Sequence, residues 1–404
     1  MEQRFERLSL EQRRSLIKEL SDEAQNPMAD NPVFASLART LRRHLVSQPD
    51  EIGSQVEDSL SMRLTAKPMS QGHLVQFLNR AFQHRALTNE MPGYEYPIDY
   101  SKDEVWELFF DFIAANPDIV WDLNEDLVVR EVQTNKSDRY KTFKLVAQMY
   151  EKRLGRTPRV LDVGCSLNLG LKQLANSEFF PFKPVELKQN GEIEETSTRQ
   201  LNTMLMARFA IGKSTGIDII NPITDRDWVR SCSFYPKELL VPRAVMEFDD
   251  LIARIDPKIS FERFDFTDEV KFEDFKNKIG DTKYDMVTFS TIWYLLSARG
   301  RFKMLERAKT VLSDGGIIVG NDFMYMRSSS RDGMAIHENI KGKPYRTVVI
   351  DPSSENQKAQ EIFVWESGRP TVAVLGTGDV TLDKKSVSVA EAIKLTADHL
   401  NQDS

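Results

Sequence analysis

The chain has 404 residues, 41% hydrophobic and 28% charged, a balance that fits a globular protein of one large or two ordinary domains. A formal net charge of -7 argues against general nucleic-acid binding, and two cysteines, Cys165 and Cys232, exclude a disulfide framework and count against a cysteine-built zinc site. MEQRFERLSLEQRR holds no apolar leader and no run of about 18 apolar residues occurs, so a cytoplasmic protein without a membrane partner is expected.

The first ~150 residues read as helices and loops. Ser9-x-x-Gln12 predicts a capping box ahead of RRSLIKELSDEA. Asp30-Asn31-Pro32 places a cap and a first-turn proline before Phe34, Leu37 and Leu41 at helical spacing. Ser101-x-x-Glu104 opens a further helix that stops near Asn116-Pro117. Residues 91–100, MPGYEYPIDY, form a loop whose three tyrosines either pack together or line a site. KTFKLVAQMYEKRL then predicts a helix that buries Phe143, Val146 and Tyr150.

From Arg159 onward strands and helices alternate. Strands are predicted at VLDV, at 214–219, 259–266, 284–290 and 315–323, with RFKMLERAKTVL the clearest helix between them. Repeated strand–helix units argue for a parallel sheet covered by helices on both faces. YRTVVID and EIFVWESGRPTVAVLG read as further strands, the last two as an antiparallel hairpin at the sheet edge, and SVSVAEAIKLTADHL as a closing helix. Two insertions, at about 176–213 and 324–343, interrupt the alternation, the second expected over the carboxyl end of strand five.

The segment RVLDVGCSLNLG, residues 159–170, is the most informative. A buried strand runs into Gly164, small or amide residues follow at Cys165, Ser166 and Asn168, and Gly170 opens a helix. Such a loop either brings backbone N–H groups against a ligand or makes a plain packed turn. Three further features follow in order. Asp218 ends strand two, where a carboxylate can accept from ribose hydroxyls. Asp265-Phe266 ends strand three, where an acid and an apolar neighbour suit the amine and face of adenine. Ser290-Thr291-Ile292-Trp293-Tyr294 follows strand four.

This order resembles the class I S-adenosylmethionine-dependent methyltransferases over residues 136–323, with LDVGCSLNLG similar to the first motif, GID to the ribose-binding acid and FDF to the adenine-side acid. The family usually has glycine where this chain has Ser166 and Asn168. The resemblance implies an α/β fold with a doubly wound, mostly parallel, seven-stranded sheet. It implies domains at 1–135, helical and forming part of a substrate chamber, and at 136–404. It implies S-adenosylmethionine as cofactor, met by Asp162, Gly164, Cys165, Ser166, Asn168, Asp218, Ile219, Asp265, Phe266 and Ser290. A second resemblance, through NPVFASLARTL, VREVQTNKSDRYKTF and GIDIINPITDRDW, is to a bacterial family known only as a domain of unknown function. It adds Gln133, Thr134, Asn135 and Arg139, which either fold over the cofactor's amino-acid end or cap a helix.

A small-molecule acceptor is expected, with Trp293, Tyr294 and His337 as candidates on its side. The two aromatics serve equally as core, and His337 equally as a surface residue. No Asn- or Asp-Pro-Pro-aromatic motif and no Pro-Cys follows strand four, which counts against DNA amino- and cytosine-methylating enzymes. Ser290 stands where metal-dependent catechol-type enzymes place an acid, and Asn321-Asp322 is incomplete, so no metal is expected. A non-catalytic binding module on this fold and a dinucleotide-dependent dehydrogenase remain the alternatives.

Overall fold

The computed structural model describes residues 8–25, 32–46, 101–115, 137–154, 157–219, 242–293, 296–323, 345–353, 359–366, 371–382 and 385–402, with 54, 57, 58, 84, 228 and 232 as single positions. Asn135, Tyr294, His337, the tyrosine loop at 91–100 and the insertion at 324–343 lie outside the described residues. The chain divides into two compact units: residues 1–135 with 223–249, and residues 136–222 with 250–404.

The first unit contains α1 (Leu10–Gln25), α2 (Pro32–Val46) and α3 (Asp103–Ala115). The capping box is present, Ser9 N donating to Gln12 Oε1 and Gln12 N to Ser9 Oγ at 2.9 and 3.2 Å. Leu16 and Leu20 of α1, Leu37, Leu41 and Leu45 of α2 and Trp106 of α3 are buried. Asp103 accepts from Arg39 at 2.7 Å and from Ser36 at 2.8 Å, and the Arg39 hydrogen bond holds its carboxyl below the usual range.

The second unit is built on one sheet of ten strands, not seven, in the order β3-β2-β10-β9-β8-β7-β6-β1-β4-β5. The half from β5 to β7 is parallel and doubly wound. It comprises β1 (Val160–Val163), β4 (Ser214–Asp218), β5 (Ile259–Arg263), β6 (Tyr284–Ser290) and β7 (Leu312–Phe323). Beyond β7 the strands β8 (Tyr345–Ile350), β9 (Ala359–Trp365) and β10 (Val372–Leu375) meander antiparallel. The β9–β10 hairpin forms as expected but not at the edge. β2 (Glu186–Gln189) and β3 (Glu192–Ile193), both from the 176–213 insertion, lie outside it. A separate hairpin pairs β11 (Asp379–Leu382) with β12 (Lys385–Ser388).

Two helical layers cover the sheet. On one face lie α4 (Lys141–Met149), α6 (Leu169–Ala175), α7 (Glu195–Met206) and α11 (Val389–Gln402), burying Phe143, Leu171, Leu201 and Ile393 against Val160, Met286, Ile317 and Val319. On the other face α9 (Glu269–Ile279) and α10 (Ala298–Val311) bury Phe272, Phe275, Met304 and Ala308 against Leu161, Val287, Phe289 and Ile318. The strict alternation of these strand residues sets the two faces. α5 (Glu151–Leu154) and α8 (Pro242–Ala253) complete the helices used below.

All nine residues of α4 are buried, two lysines included. Their polar ends reach carbonyls. Lys144 Nζ donates to Leu205 O at 2.7 Å and Ala207 O at 2.8 Å, Lys141 Nζ to Lys183 O at 3.1 Å, and Gln148 Nε2 to Met204 O at 3.0 Å. α4 thereby satisfies the carbonyl ends that α7 leaves open. Burial pushes Lys144 down to about 8.

Candidate functional site

The loop after β1 takes the backbone angles that its glycine-poor sequence has to tolerate. Gly164 has φ +77, and a Cβ there would stand 2.5 Å from the Ile292 side chain. Ser166 and Asn168, at the family's glycine positions, are left-handed at φ 48 and 58. Asparagine adopts this region readily, and serine does so at a cost of about 1–2 kcal/mol. Four amides of the loop are bonded within the fold, as a packed turn requires. Gly164 N and Cys165 N donate to Ile217 O at 2.8 and 3.2 Å, Asn168 N to Cys165 O at 3.0 Å, and Ser166 N to Asp218 Oδ2 at 2.7 Å.

Several residues expected around a cofactor turn their side chains into the sheet. Asn168 Nδ2 donates to Ser260 O at 3.2 Å, while Cys165 Sγ and Asn168 Oδ1 crowd the α-carbon of Gly216, where a Cβ would meet them at 2.5 and 1.7 Å. The glycine of GID therefore exists to let the loop seat on β4. Gly170 answers a different neighbour, since a Cβ there would fall 1.9 Å from the Tyr140 ring. Burial pushes the Cys165 thiol well up.

Two acids end adjacent strands at the open rim. Asp218, half-buried at the end of β4, is fastened to the loop through Ser166, and Ile219 after it is exposed. Asp265, beyond β5, is exposed and accepts from Thr267 N at 2.7 Å and Thr267 Oγ1 at 2.8 Å. Phe266 turns inward, its ring edge-on to Phe272 at 5.1 Å and to Phe289 at 6.4 Å. Its face packs in the core.

A chain of buried polar groups runs along the α4 face at the carboxyl ends of β1, β6 and β7 and the amino end of β8. Asp162 on β1, fully buried, accepts from Tyr140 Oη at 2.5 Å and from Thr288 Oγ1 at 2.7 Å. Burial drives its carboxyl up to about 6, against the pull of those two donors. Burial likewise pushes the Tyr140 phenol well above its ordinary value, with the neighbouring Asp162 charge adding to it. Ser290, two residues beyond Thr288, lies on the same face, opposite Asn321 of β7. Arg139, from the 3₁₀ turn Ser137–Tyr140, is buried and donates from Nη1 to Thr291 Oγ1 at 2.7 Å, standing 5.8 Å over the Tyr345 ring. Thr291 is itself left-handed at φ 56, a strained setting for a β-branched residue.

Trp293 lies on the opposite face. Its ring packs 5.4 Å from Phe289 and against Gly320, where a Cβ would be 2.7 Å away, so its side chain belongs to the core and not to an open acceptor rim. The structure brings Asp162, Gly164, Cys165, Ser166, Asn168 and Asp218 around one loop, and sets Arg139 against Thr291 after β6. Tyr140, Thr288 and Thr347 were not expected there. Polar residues at 288 and 290, two apart at the carboxyl end of β6, were the available signal. No group of three or more His, Cys, Asp or Glu among the described residues is placed to hold a metal ion, and no described helix is long and apolar enough to cross a membrane.

No family model matches the chain, and no curated protein matches it, so the second resemblance gains no support. Solved structures similar to parts of it include an O-methyltransferase family protein from Burkholderia thailandensis, 11% identical, covering 81% of this chain and 80% of that one at a TM-score of 0.27. The plantazolicin methyltransferase BamL, solved with a triazolic desmethylPZN analog and SAH, is 12% identical over 81% of this chain and 75% of its own, at 0.26. PKMT2 from Rickettsia typhi is 13% identical at 0.24, and this chain spans only 30% of its length. Likenesses this slight carry no argument, and the functional reading rests on the geometry above.

Proposed function

We propose that this chain is an S-adenosylmethionine-dependent methyltransferase acting on a small-molecule acceptor. The observation that carries the reading is Asp218. It ends the strand beside β1 in the order β5-β4-β1-β6-β7, and its carboxylate is tied to the loop that follows β1. In an open α/β sheet ligands bind outside the carboxyl ends of the strands, where the strand order reverses, and that point here is the β1 loop. Asp218 and Asp265, on neighbouring strand ends, give the acceptor chemistry that ribose hydroxyls and an exocyclic amine need. These two acceptors fit the cofactor, with the ribose at Asp218 and the adenine towards Asp265.

When bound, the cofactor supplies an electrophilic methyl group. The chain's part is to hold that group, aim the acceptor's nucleophile and exclude water. Asp162 is not a lone base for this purpose, because Tyr140 and Thr288 already occupy its oxygens. Tyr294 and His337 stay proposed acceptor-side groups.

Calorimetry with S-adenosylhomocysteine tests the reading. The wild type should bind it, and Asp218→Ala should weaken binding by about 2–4 kcal/mol through loss of charge-assisted hydrogen bonds. NAD bound in its place identifies a dinucleotide enzyme, and binding of neither identifies a non-catalytic module.

A further inference from the structure

Among the buried polar atoms without a hydrogen-bond partner among the described residues, two belong to neighbouring strands: Ser290 Oγ and Asn321 Nδ2. They sit at paired positions, Ser290 the last residue of β6 and Asn321 two residues before the end of β7. A buried donor left without an acceptor costs about 1–3 kcal/mol, so an adjacent pair is an arrangement that packing alone does not favour.

The orientation of Asn321 is fixed from behind. The Trp365 indole can only donate, and its Nε1 donates to Thr347 Oγ1 at 2.9 Å. The Thr347 hydrogen must therefore go elsewhere, and it goes to Asn321 Oδ1 at 3.3 Å. With Oδ1 so engaged, the NH2 group is the part of the Asn321 amide left without a partner among the described residues. Arg139 brings a positive charge to the same face, between Thr291 at the end of β6 and Tyr345 on β8. A hydroxyl, an amide NH2 and a guanidinium at one strand edge form a donor set with a cation, matched by an oxygen anion.

We propose that Ser290 and Asn321, with the charge of Arg139, form a subsite for a carboxylate carried by the methyl acceptor. Asn321 stands three strands from Asp218 in the order β4-β1-β6-β7, about 14 Å across the sheet at ~4.8 Å per strand. That spacing sets the subsite on the side of the sheet away from the ribose acid. The word acceptor rests on the methyltransferase reading; the carboxylate preference does not.

The test uses the full chain and a defined probe set: millimolar acetate, benzoate, pyruvate and free α-amino acids, with acetamide and benzamide as uncharged counterparts. Thermal melting and calorimetry are read on the wild type, Ser290→Ala and Asn321→Leu. At least one carboxylate should raise the wild-type melting temperature while its amide does not, and each variant should weaken that carboxylate about tenfold or more. Ser290→Ala should melt no lower than the wild type without ligand, because it removes an unpartnered atom, and Asn321→Leu should bind S-adenosylhomocysteine as the wild type does. No response to any carboxylate, an unchanged response in Ser290→Ala, or a lowered ligand-free melting temperature in Ser290→Ala overturns the subsite; the last shows a structural hydrogen bond, to a buried water for example. A fall in S-adenosylhomocysteine affinity in Asn321→Leu overturns the assignment of the subsite to the acceptor. A wild type that answers a carboxylate but not S-adenosylhomocysteine supports the subsite and overturns the methyltransferase reading alone.

Discussion

Asp162 carries a carboxyl raised by burial to about 6 from an ordinary value of 3.8. Between those two values the folded chain holds a proton that the unfolded chain has released, so stability falls as pH rises through that window. The displacement corresponds to about 3 kcal/mol at ~1.4 per unit. Asp162→Asn should therefore gain on the wild type by an amount of that order between pH 4 and pH 7, read from paired denaturation curves at the two pH values. A stability difference that stays flat across the range would show an ordinary carboxylate. Gly170 tests a purely steric reading. Gly170→Ala drives a methyl into the Tyr140 ring and should cost about 1–3 kcal/mol. Adding Tyr140→Ala to it should cost less than the sum of the two, because the clash disappears with the ring.

At the scale of elements, α4 is the piece that the sheet cannot lose. Its nine buried residues cover the β1–β6 region, and its lysines complete the end of α7. A chain beginning at Arg156 should expose that face and aggregate, judged by solubility and the absence of a cooperative melt. A soluble, cooperatively melting truncation would show that α4 is dispensable. Just after α4, Arg153 of α5 fastens three segments. It donates to Gly315 O at 2.6 Å and to both oxygens of Asp351 at 2.5 and 2.6 Å. Burial raises the Asp351 carboxyl, but the bonds from Arg153 and Ser353 outweigh it and hold it below the ordinary range. Arg153→Met leaves that carboxylate buried without its cation and should cost about 3–5 kcal/mol in chemical denaturation. The capping box of α1 and the helix Ala298–Val311 were legible because caps and heptad-like spacing are local. β2 and β3 were missed although Asn190-Gly191, both with positive φ, is a strong short-range hairpin signal. Their strands are only four and two residues long, too short for alternation to show.

For the whole molecule, the sequence determined the parallel half of the sheet, strand by strand, because buried parallel strands read as apolar runs and each is followed by its own helix pattern. It likewise determined that a loop, the acid Asp218 and the acid Asp265 come in register, since those positions follow from where each strand stops. Only the tertiary structure decided that the sheet has ten strands, because pairing of β10 with β2 joins segments far apart in the chain, and strand patterns say nothing about which edge accepts them. Only it decided that Cys165, Asn168 and Gly170 serve packing against Gly216 and Tyr140, since a glycine in sequence does not reveal whether a ligand or a neighbouring ring needs the space. The Tyr140–Asp162–Thr288 chain and the Ser290–Asn321 pair came the same way. Each joins residues on different strands or helices, and hydrogen bonding across a sheet depends on register and facing, which only the packed fold sets.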